Sequence, residues 1–427
     1  MKINCFFIKT EVALLQKNIS KLRYIAIYII LFFVISTSSV SVHASGNFKY
    51  DTDYYSRLKG KDVELNVYNW GEYLSNGSNG SMDINKEFEK LTGIKINYSN
   101  YETNEAMYSK LKSDANIYDV IFPSDYMVAR MIEENMLARL DFKNIPNFKY
   151  IDPVLLNPVY DKNNRYSIPY TWGITALIYN KKYYKSPPKS WKALWNKKYK
   201  NKILMFKNSR DAFAISLSIL GYDINTEDPK QIKDAQELLK KQKPLLQAYV
   251  MDQIFDKMLR EEAVIAPCYV GDGMIMKNEN KDLEIALPEE HKNLFVDAVC
   301  VPKKSKNKIA AEMYINFLNE PEVSKENTKY ILYSTPNLAA KELLPAKTKN
   351  NPLLYPDKKI LSECESFTNL SHNTNLIMDK YWSQLMIPGN KLLSKIILTA
   401  IIIIMLSGYI FIKYRRKSSC CKTKTLI

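Results

Sequence analysis

Between residues 62 and 124, runs in which apolar and polar positions alternate are separated by runs with helical spacing. Val63, Leu65 and Val67 alternate with Glu64, Asn66 and Tyr68, the period of a β-strand, and Asn69, Gly71 and the loop 75–81 end it. Ser81 stands where it can cap a helix whose Ile84, Phe88 and Leu91 share a face, and Gly93 closes that helix. A second alternation, Ile94, Ile96 and Tyr98, predicts a strand over 94–100. Residues 103–113 then read as a helix and 118–122 as a buried strand stopped by Pro123 and Ser124. This βαβαβ order predicts a parallel sheet. In open α/β sheets ligands bind at the C-terminal ends of the strands. The first strand delivers Trp70, Glu72 and Tyr73 there, and the third delivers Ser124 and Tyr126.

Residues 165–175 (RYSIPYTWGIT) look like a crossover between two lobes, and 181–202, with Pro187, Pro188, Trp191 and Trp195, like a surface subdomain. Ile203 to Phe206 reads as a short strand, after which Asn208, Ser209, Arg210 and Asp211 open a helix running to residue 220. An acid such as Asp211 near a helix N-terminus has an ordinary role through the dipole. Helices are expected at 228–241 and 252–262, and an apolar strand at 263–269 leads into Tyr269 and Asp272 across a tight turn. A strand at 294–301 returns to the first lobe, a helix follows at 308–318, and Tyr333 to Asn337 begins another loop. The remainder up to 390 looks helical. The resulting division is lobe 1 at 62–168, lobe 2 at 169–293, and a return with C-terminal helices at 294–390.

The ends change this picture. The first 23 residues are basic, 24–35 are apolar, and Val42, His43 and Ala44 offer a cleavage spacing, so 1–44 reads as a secretory signal. An uncleaved anchor is the alternative, although so short an apolar run is poor for a span. Residues 45–61 are polar and Tyr-rich, a linker. Residues 392–412 (LLSKIILTAIIIIMLSGYIFI) are long and apolar enough to cross a bilayer, a buried core helix being the other reading. The basic tail 413–427 opens with Lys413, Arg415, Arg416 and Lys417, which by the positive-inside rule stay cytoplasmic and place 45–390 outside, at the cell membrane.

Charge and composition then exclude classes. Of the net +16, the two tails carry +12, leaving about +4 for the middle, which has no RNP, zinc-finger or basic-helix pattern. Nucleic acid is not expected as a partner. Three His in 427 residues leave almost no material for a His-based catalytic or metal site, no G-x-S-x-G, P-loop or H-E-x-x-H occurs, and neither an enzyme nor a cofactor is expected. Cys268, Cys300 and Cys364 are the exterior cysteines, none in CxxC spacing, so they allow at most one internal disulfide and serve equally well as structural thiols.

An indole, a carboxylate and a phenol at one strand end suit a cationic ligand with an alkyl body, because aromatic faces attract ammonium and pack on methylenes. An aromatic-rich loop packed on its own domain reads equally well from that stretch alone. With 30 Tyr in the chain, a single Tyr says little without neighbouring motifs. The words YNWGEY (68–73), FEKLTGIKINYSNYETNEAMYSKL (88–111), YDVIFPSDYMV (118–128), YSIPYTWG (166–173), SRDAF (209–213), DAVCVPKKSKNKIAAEMYINFL (297–318) and STPNLAAKELL (334–344) supply them. In this order, across roughly 62–385, they resemble the polyamine-binding proteins of bacterial spermidine/putrescine ABC importers.

The resemblance implies an α/β, two-lobed periplasmic-binding-protein-like (Venus flytrap) fold, with a parallel-type sheet in each lobe and ligand held between lobes that close by hinge motion. A C-terminal transmembrane helix at 392–412 would be added to it here. The resemblance also implies that Trp70, Glu72, Tyr73, Ser124 and Tyr126 form one wall of the site, and that Asp211, Tyr269 and Asp272 face them. Tyr249, Tyr333 and Thr335 join more weakly. Two departures stand out: Asn208 where an acid is common, so that one amine contact becomes a neutral hydrogen bond, and Gly71 where a hydroxyl is common. The implied partners are a polyamine, spermidine or putrescine, and the permease and ATPase of an ABC importer. The chemistry agrees, since a buried dication needs a carboxylate near each charge and aromatic walls along its methylenes. A receptor for a different small solute, and a surface adhesin or sensor ectodomain, are the rival readings.

Overall fold

The computed structural model describes residues 49–113 and 118–387. The signal at 1–44, the apolar span at 392–412 and the basic tail 413–427 lie outside the described residues. Among the described residues, no helix is long and apolar enough to cross a membrane.

Among the described residues, ten strands form one mixed sheet: β1 (Glu64–Trp70), β2 (Lys95–Tyr101), β3 (Val120–Ile121), β4 (Ser167–Asn180), β5 (Ile203–Phe206), β6 (Leu246–Val250), β7 (Ile265–Tyr269), β8 (Leu283–Ala286), β9 (Lys292–Cys300) and β10 (Cys364–Glu365). Their order is β2-β1-β3-β9-β4-β7-β5-β6, with β8 on β4 and β10 on β9. β1 pairs parallel with β2 and β3, and β5 pairs parallel with β6 and β7, as helical crossovers require.

The expectation of a parallel-type sheet in each lobe needs correcting, because β4 runs antiparallel to β7, β8 and β9, and β3 antiparallel to β9. The cause is connectivity. The chain leaves the first set of strands through β4 and returns through β9, so these neighbours point in opposite directions. Thr171–Ile174 pair with Leu294–Asp297 and with no other named strand, a two-strand ribbon flanked by the isolated bridges Ser124–Asp297 and Trp172–Ser334. A register shift between Pro169 and Thr171 makes Tyr170 an extra residue at the start of this ribbon.

Several local expectations also change. The helix Ile84–Thr92 is capped by Asp83, which accepts from the Lys86 amide, rather than by Ser81; Gly93 ends it with φ of 75°. Within the stretch read as a linker, Thr52–Ser56 is a helix, and Tyr55 is fully buried with its hydroxyl on Glu320. Trp191 is likewise fully buried and packs with Leu194 and Tyr199 in a second core, which anchors the largely exposed stretch 181–202. The expected turn after Tyr269 is the first turn of the helix Val270–Glu279. Cys268, Cys300 and Cys364 are free thiols.

Candidate functional site

The C-terminal ends of β1, β3, β5 and β7 meet the ribbon of β4 and β9, and a narrow slot of about 50 Å³ opens between them. β1 ends in Trp70, whose indole N–H donates to the Phe122 carbonyl at 2.8 Å, fixing the ring against the slot. Glu72 follows with φ of 44°, a left-handed conformation that a non-glycine residue adopts at some cost. Ser124 is the N-cap of the helix Asp125–Glu133, yet its side chain makes no cap bond and turns to the slot.

β9 contributes most. Strand alternation places Asn293, Phe295 and Asp297 on one face, and all three line the slot. Asp297 accepts from the Tyr73 hydroxyl at 2.5 Å and from Ser124 Oγ at 2.6 Å. Across the slot Asp211, in the first turn of the helix Ser209–Leu220, accepts from the Tyr269 hydroxyl at 2.7 Å and from Asn293 Nδ2 at 3.1 Å. The Asn293 Oδ1 atom is buried without a partner, a free acceptor beside Asp211. Asp272, from the first turn of Val270–Glu279, accepts from the Tyr333 hydroxyl at 2.8 Å. Gly271 makes that pairing possible, since a Cβ there would lie 2.2 Å from the Tyr333 ring.

Rings wall the slot between these acids. Phe206 stacks on Tyr269 with centroids 4.8 Å apart, and Tyr73 meets Tyr333 edge-on at 4.8 Å. Burial pushes the carboxyl of Asp211 up to about 6, that of Asp297 up to about 6 and that of Asp272 up to about 7. Hydrogen bonds to each act in the opposite direction and are outweighed. Among the described residues, no Lys or Arg forms an ion pair with any of the three. A slot with carboxylates at its ends and π-faces along its length is suited to a cation with apolar stretches between its charges.

The model of the family described as bacterial extracellular solute-binding protein matches residues 83–356. The spermidine/putrescine-binding periplasmic protein of Salmonella typhimurium is 37% identical over 81% of this chain and 93% of its own length. The chain belongs to the bacterial extracellular solute-binding proteins. The Escherichia coli protein named spermidine/putrescine-binding periplasmic protein is 36% identical, covering 75% of this chain and 91% of the relative. Among solved structures, that titled putative spermidine/putrescine ABC transporter from Listeria monocytogenes superposes with a TM-score of 0.73 at 34% identity, covering 76% of this chain and 99% of the other. The family resemblance read from the motifs is borne out, and so is the periplasmic-binding-protein-like fold. A solute-binding protein binds its ligand and catalyses nothing.

Within this solute-binding protein, ten of the twelve expected site residues line the slot: Trp70, Glu72, Tyr73, Ser124, Tyr126, Asn208, Asp211, Tyr269, Asp272 and Tyr333. Tyr126 presents its ring, while its hydroxyl donates to Glu105 at 2.9 Å. Asn208 caps its helix by accepting from the Arg210 amide, and its Nδ2 reaches the Tyr269 hydroxyl at 3.4 Å. Two residues lie elsewhere. Tyr249 packs edge-on against Trp382 at 5.4 Å, because strand alternation in β6 turns Val250 to the slot and Tyr249 to the opposite core. Thr335 is buried, its Oγ1 bonded with Ser324 at 2.8 Å and accepting from the Asn337 amide. The main omission from the sequence reading is Asp297. A carboxylate in the middle of an apolar strand is the signal that could have found it, since a buried acid needs a reason.

Proposed function

We propose that this protein is an extracytoplasmic receptor that binds a polyamine, spermidine or putrescine, between two halves that close on it, and passes it to the permease of an ABC importer. The apolar stretch 392–412 tethers it to the membrane, which keeps the receptor at high effective concentration near its permease. The ligand class follows that named for the relatives above. The observation that carries it is the set of buried acids Asp211, Asp272 and Asp297, none in an ion pair with Lys or Arg among the described residues, and walled by rings. A sugar would call for more neutral donors and acceptors and no surplus of acids. A polyamine supplies an ammonium to each end of the slot and methylenes to its walls. The proposed ligand contacts are the ten slot-lining residues with Asn293, Phe295 and Asp297.

The test is calorimetric titration of the purified protein with spermidine, putrescine and a neutral sugar. Saturable binding of a polyamine at micromolar strength or better, about −8 kcal/mol, with no heat from the sugar, is the expected result. Absence of heat with both polyamines overturns the reading. Deleting residues 391–427 is expected to release the protein from the cell, and a deletant that stays bound contradicts the tether.

A further inference from the structure

The stretch 181–202 carries nine lysines and no acidic residue, and all nine lysines are exposed. Residues 45–390 carry only about +4 in all, so the remainder of that span is net acidic. Trp191, Leu194 and Tyr199 anchor the stretch in the second core, and the lysines between them are turned to solvent. Lys200 and Lys202 lead directly into β5. The Lys202 carbonyl accepts the Val264 amide at 2.7 Å, beside the start of β7, and the Asn201 amide donates to Leu245 at 2.8 Å, beside the start of β6. The lysines therefore crowd the end where β5, β6 and β7 begin. The slot lies at the other end, against Phe206, Val250 and Tyr269.

The last described residue, Ile387, stands at that same lysine-rich end. The helix His372–Met386 packs along Pro229–Gln242, and the Lys243 ammonium donates to the carbonyls of Leu385 and, at 2.7 Å, Ile387. Gln242 donates to the Leu194 carbonyl at 3.1 Å, and the Trp195 indole to the Leu238 carbonyl at 3.0 Å. Ile387 is thus fixed beside the lysines. Residues 388–391 alone separate it from the apolar stretch at 392, a reach of at most about 18 Å. Acids on the adjoining elements are engaged: Glu237 with Lys240 at 2.7 Å, Asp234 with Lys230 at 2.9 Å, and Glu290 with the Trp191 amide at 3.1 Å. Among the described residues, Lys192, Lys197, Lys198, Lys200 and Lys241 form no ion pair.

We propose that this lysine-rich end is a membrane-docking surface that rests on anionic lipid headgroups beside the tether. It depends on the tether reading above. So short a connection keeps the ammonium groups close to the headgroups. Each lysine within a Debye length, about 8 Å, adds about fivefold to the affinity for an anionic surface. Because the slot lies at the opposite ends of the same strands, docking leaves it clear of lipid and open to solute.

In the test, the full chain is reconstituted in vesicles of phosphatidylcholine, with or without one quarter phosphatidylglycerol. Lysine acetylation by an impermeant reagent is then followed by mass spectrometry. With the anionic lipid, Lys192, Lys197, Lys200 and Lys241 are expected to react about fivefold more slowly, and molar salt to restore their rates. Lys86 and Lys95, exposed beyond the first set of strands, keep theirs. The full-length variant Lys197→Gln/Lys198→Gln/Lys200→Gln is expected to lose the protection at Lys192 and Lys241 and to titrate with spermidine as the wild type does. Equal rates with and without anionic lipid overturn the docking surface. Slowing that salt does not reverse, or that extends to Lys86 and Lys95, overturns it as well. Protein recovered free of the vesicles on flotation removes the tether reading, and this surface with it.

Discussion

Asp297 and Asp252 face the same slot, yet they are held in opposite ways. Asp297 sits in the middle of β9, is 5% exposed, and has one oxygen on the Tyr73 hydroxyl and the other on Ser124. Asp252 is more exposed, stands just before the helix Gln253–Leu259 and lies against Gly71 with no side-chain cap bond to its own helix. At the inner end, the cost of taking a charge out of water and orienting it is met by the fold before any ligand arrives. At the mouth, no such preorganisation is built in. On the proposed reading, the inner acids are therefore poised for the ligand's charge and Asp252 is not.

The sharpest way to break this contrast is Asp297→Asn, expected to weaken polyamine binding by about 2 to 5 kcal/mol, the scale for losing one member of a buried charge pair. Unchanged affinity by calorimetry would place Asp297 among structural residues. Asp272→Asn, nearer the mouth, is expected to cost less, about 1.5 to 3 kcal/mol. A larger loss there than at Asp297 reverses the ranking of the two ends.

Proton linkage separates the ends further. Asp211 and Asp297 at about 6, and Asp272 at about 7, lie above the ordinary carboxyl range in the unliganded protein. With raised native values the folded state holds more protons than the unfolded one, so these acids make the unliganded protein less stable as pH rises toward 7. An ammonium favours the ionised form, so binding releases protons and affinity climbs with pH through 6 and 7 before levelling. Titrations at pH 5.5 and pH 8 in buffers of different ionisation heat check this, and a flat profile contradicts the assignment.

Glu102 joins the two sides at the rim, accepting from Lys207 and from Gln253 Nε2 at 3.3 Å. Both charged side chains of the pair are about half exposed, so Glu102→Gln is expected to cost at most about 1 kcal/mol of ligand affinity, and less at high salt. The smallest effect belongs to Tyr249→Phe. Its ring faces the core, and an unaltered dissociation constant is expected; a clear loss would return Tyr249 to the site.

Much of this was legible in the sequence wherever period and punctuation agreed. β1, with its apolar alternation and Gly-marked exit, placed Trp70, Glu72 and Tyr73 correctly at a strand end. β6 was missed as a strand because LQAYV follows the helix Pro229–Gln242 through one tight turn, with no glycine to mark the change. Without that strand, nothing determined whether Tyr249 or Val250 faced the slot. Asp297 was hidden for a related reason. β9 is covered on both faces, so hydrophobic pattern alone does not say which face borders a cleft. Thr335 stood in a matching word but at a position whose hydroxyl bonds locally, and no one-dimensional pattern distinguishes the two uses.

The two-strand ribbon has a mechanical consequence. Thr171 pairs with Asp297 there, next to the extra residue Tyr170, where the chain crosses between the two sets of strands. On the proposed closure of the two halves, a charge that pulls on Asp297 pulls at a fulcrum. Rotation through a small arc about that point becomes a long sweep at the rim, where Glu102 and Lys207 meet, just as the short arm of a lever moves little and the long arm far. Spectroscopic labels that report distance belong at the rim, where the travel is greatest, and the signal that starts the stroke is read where travel is least.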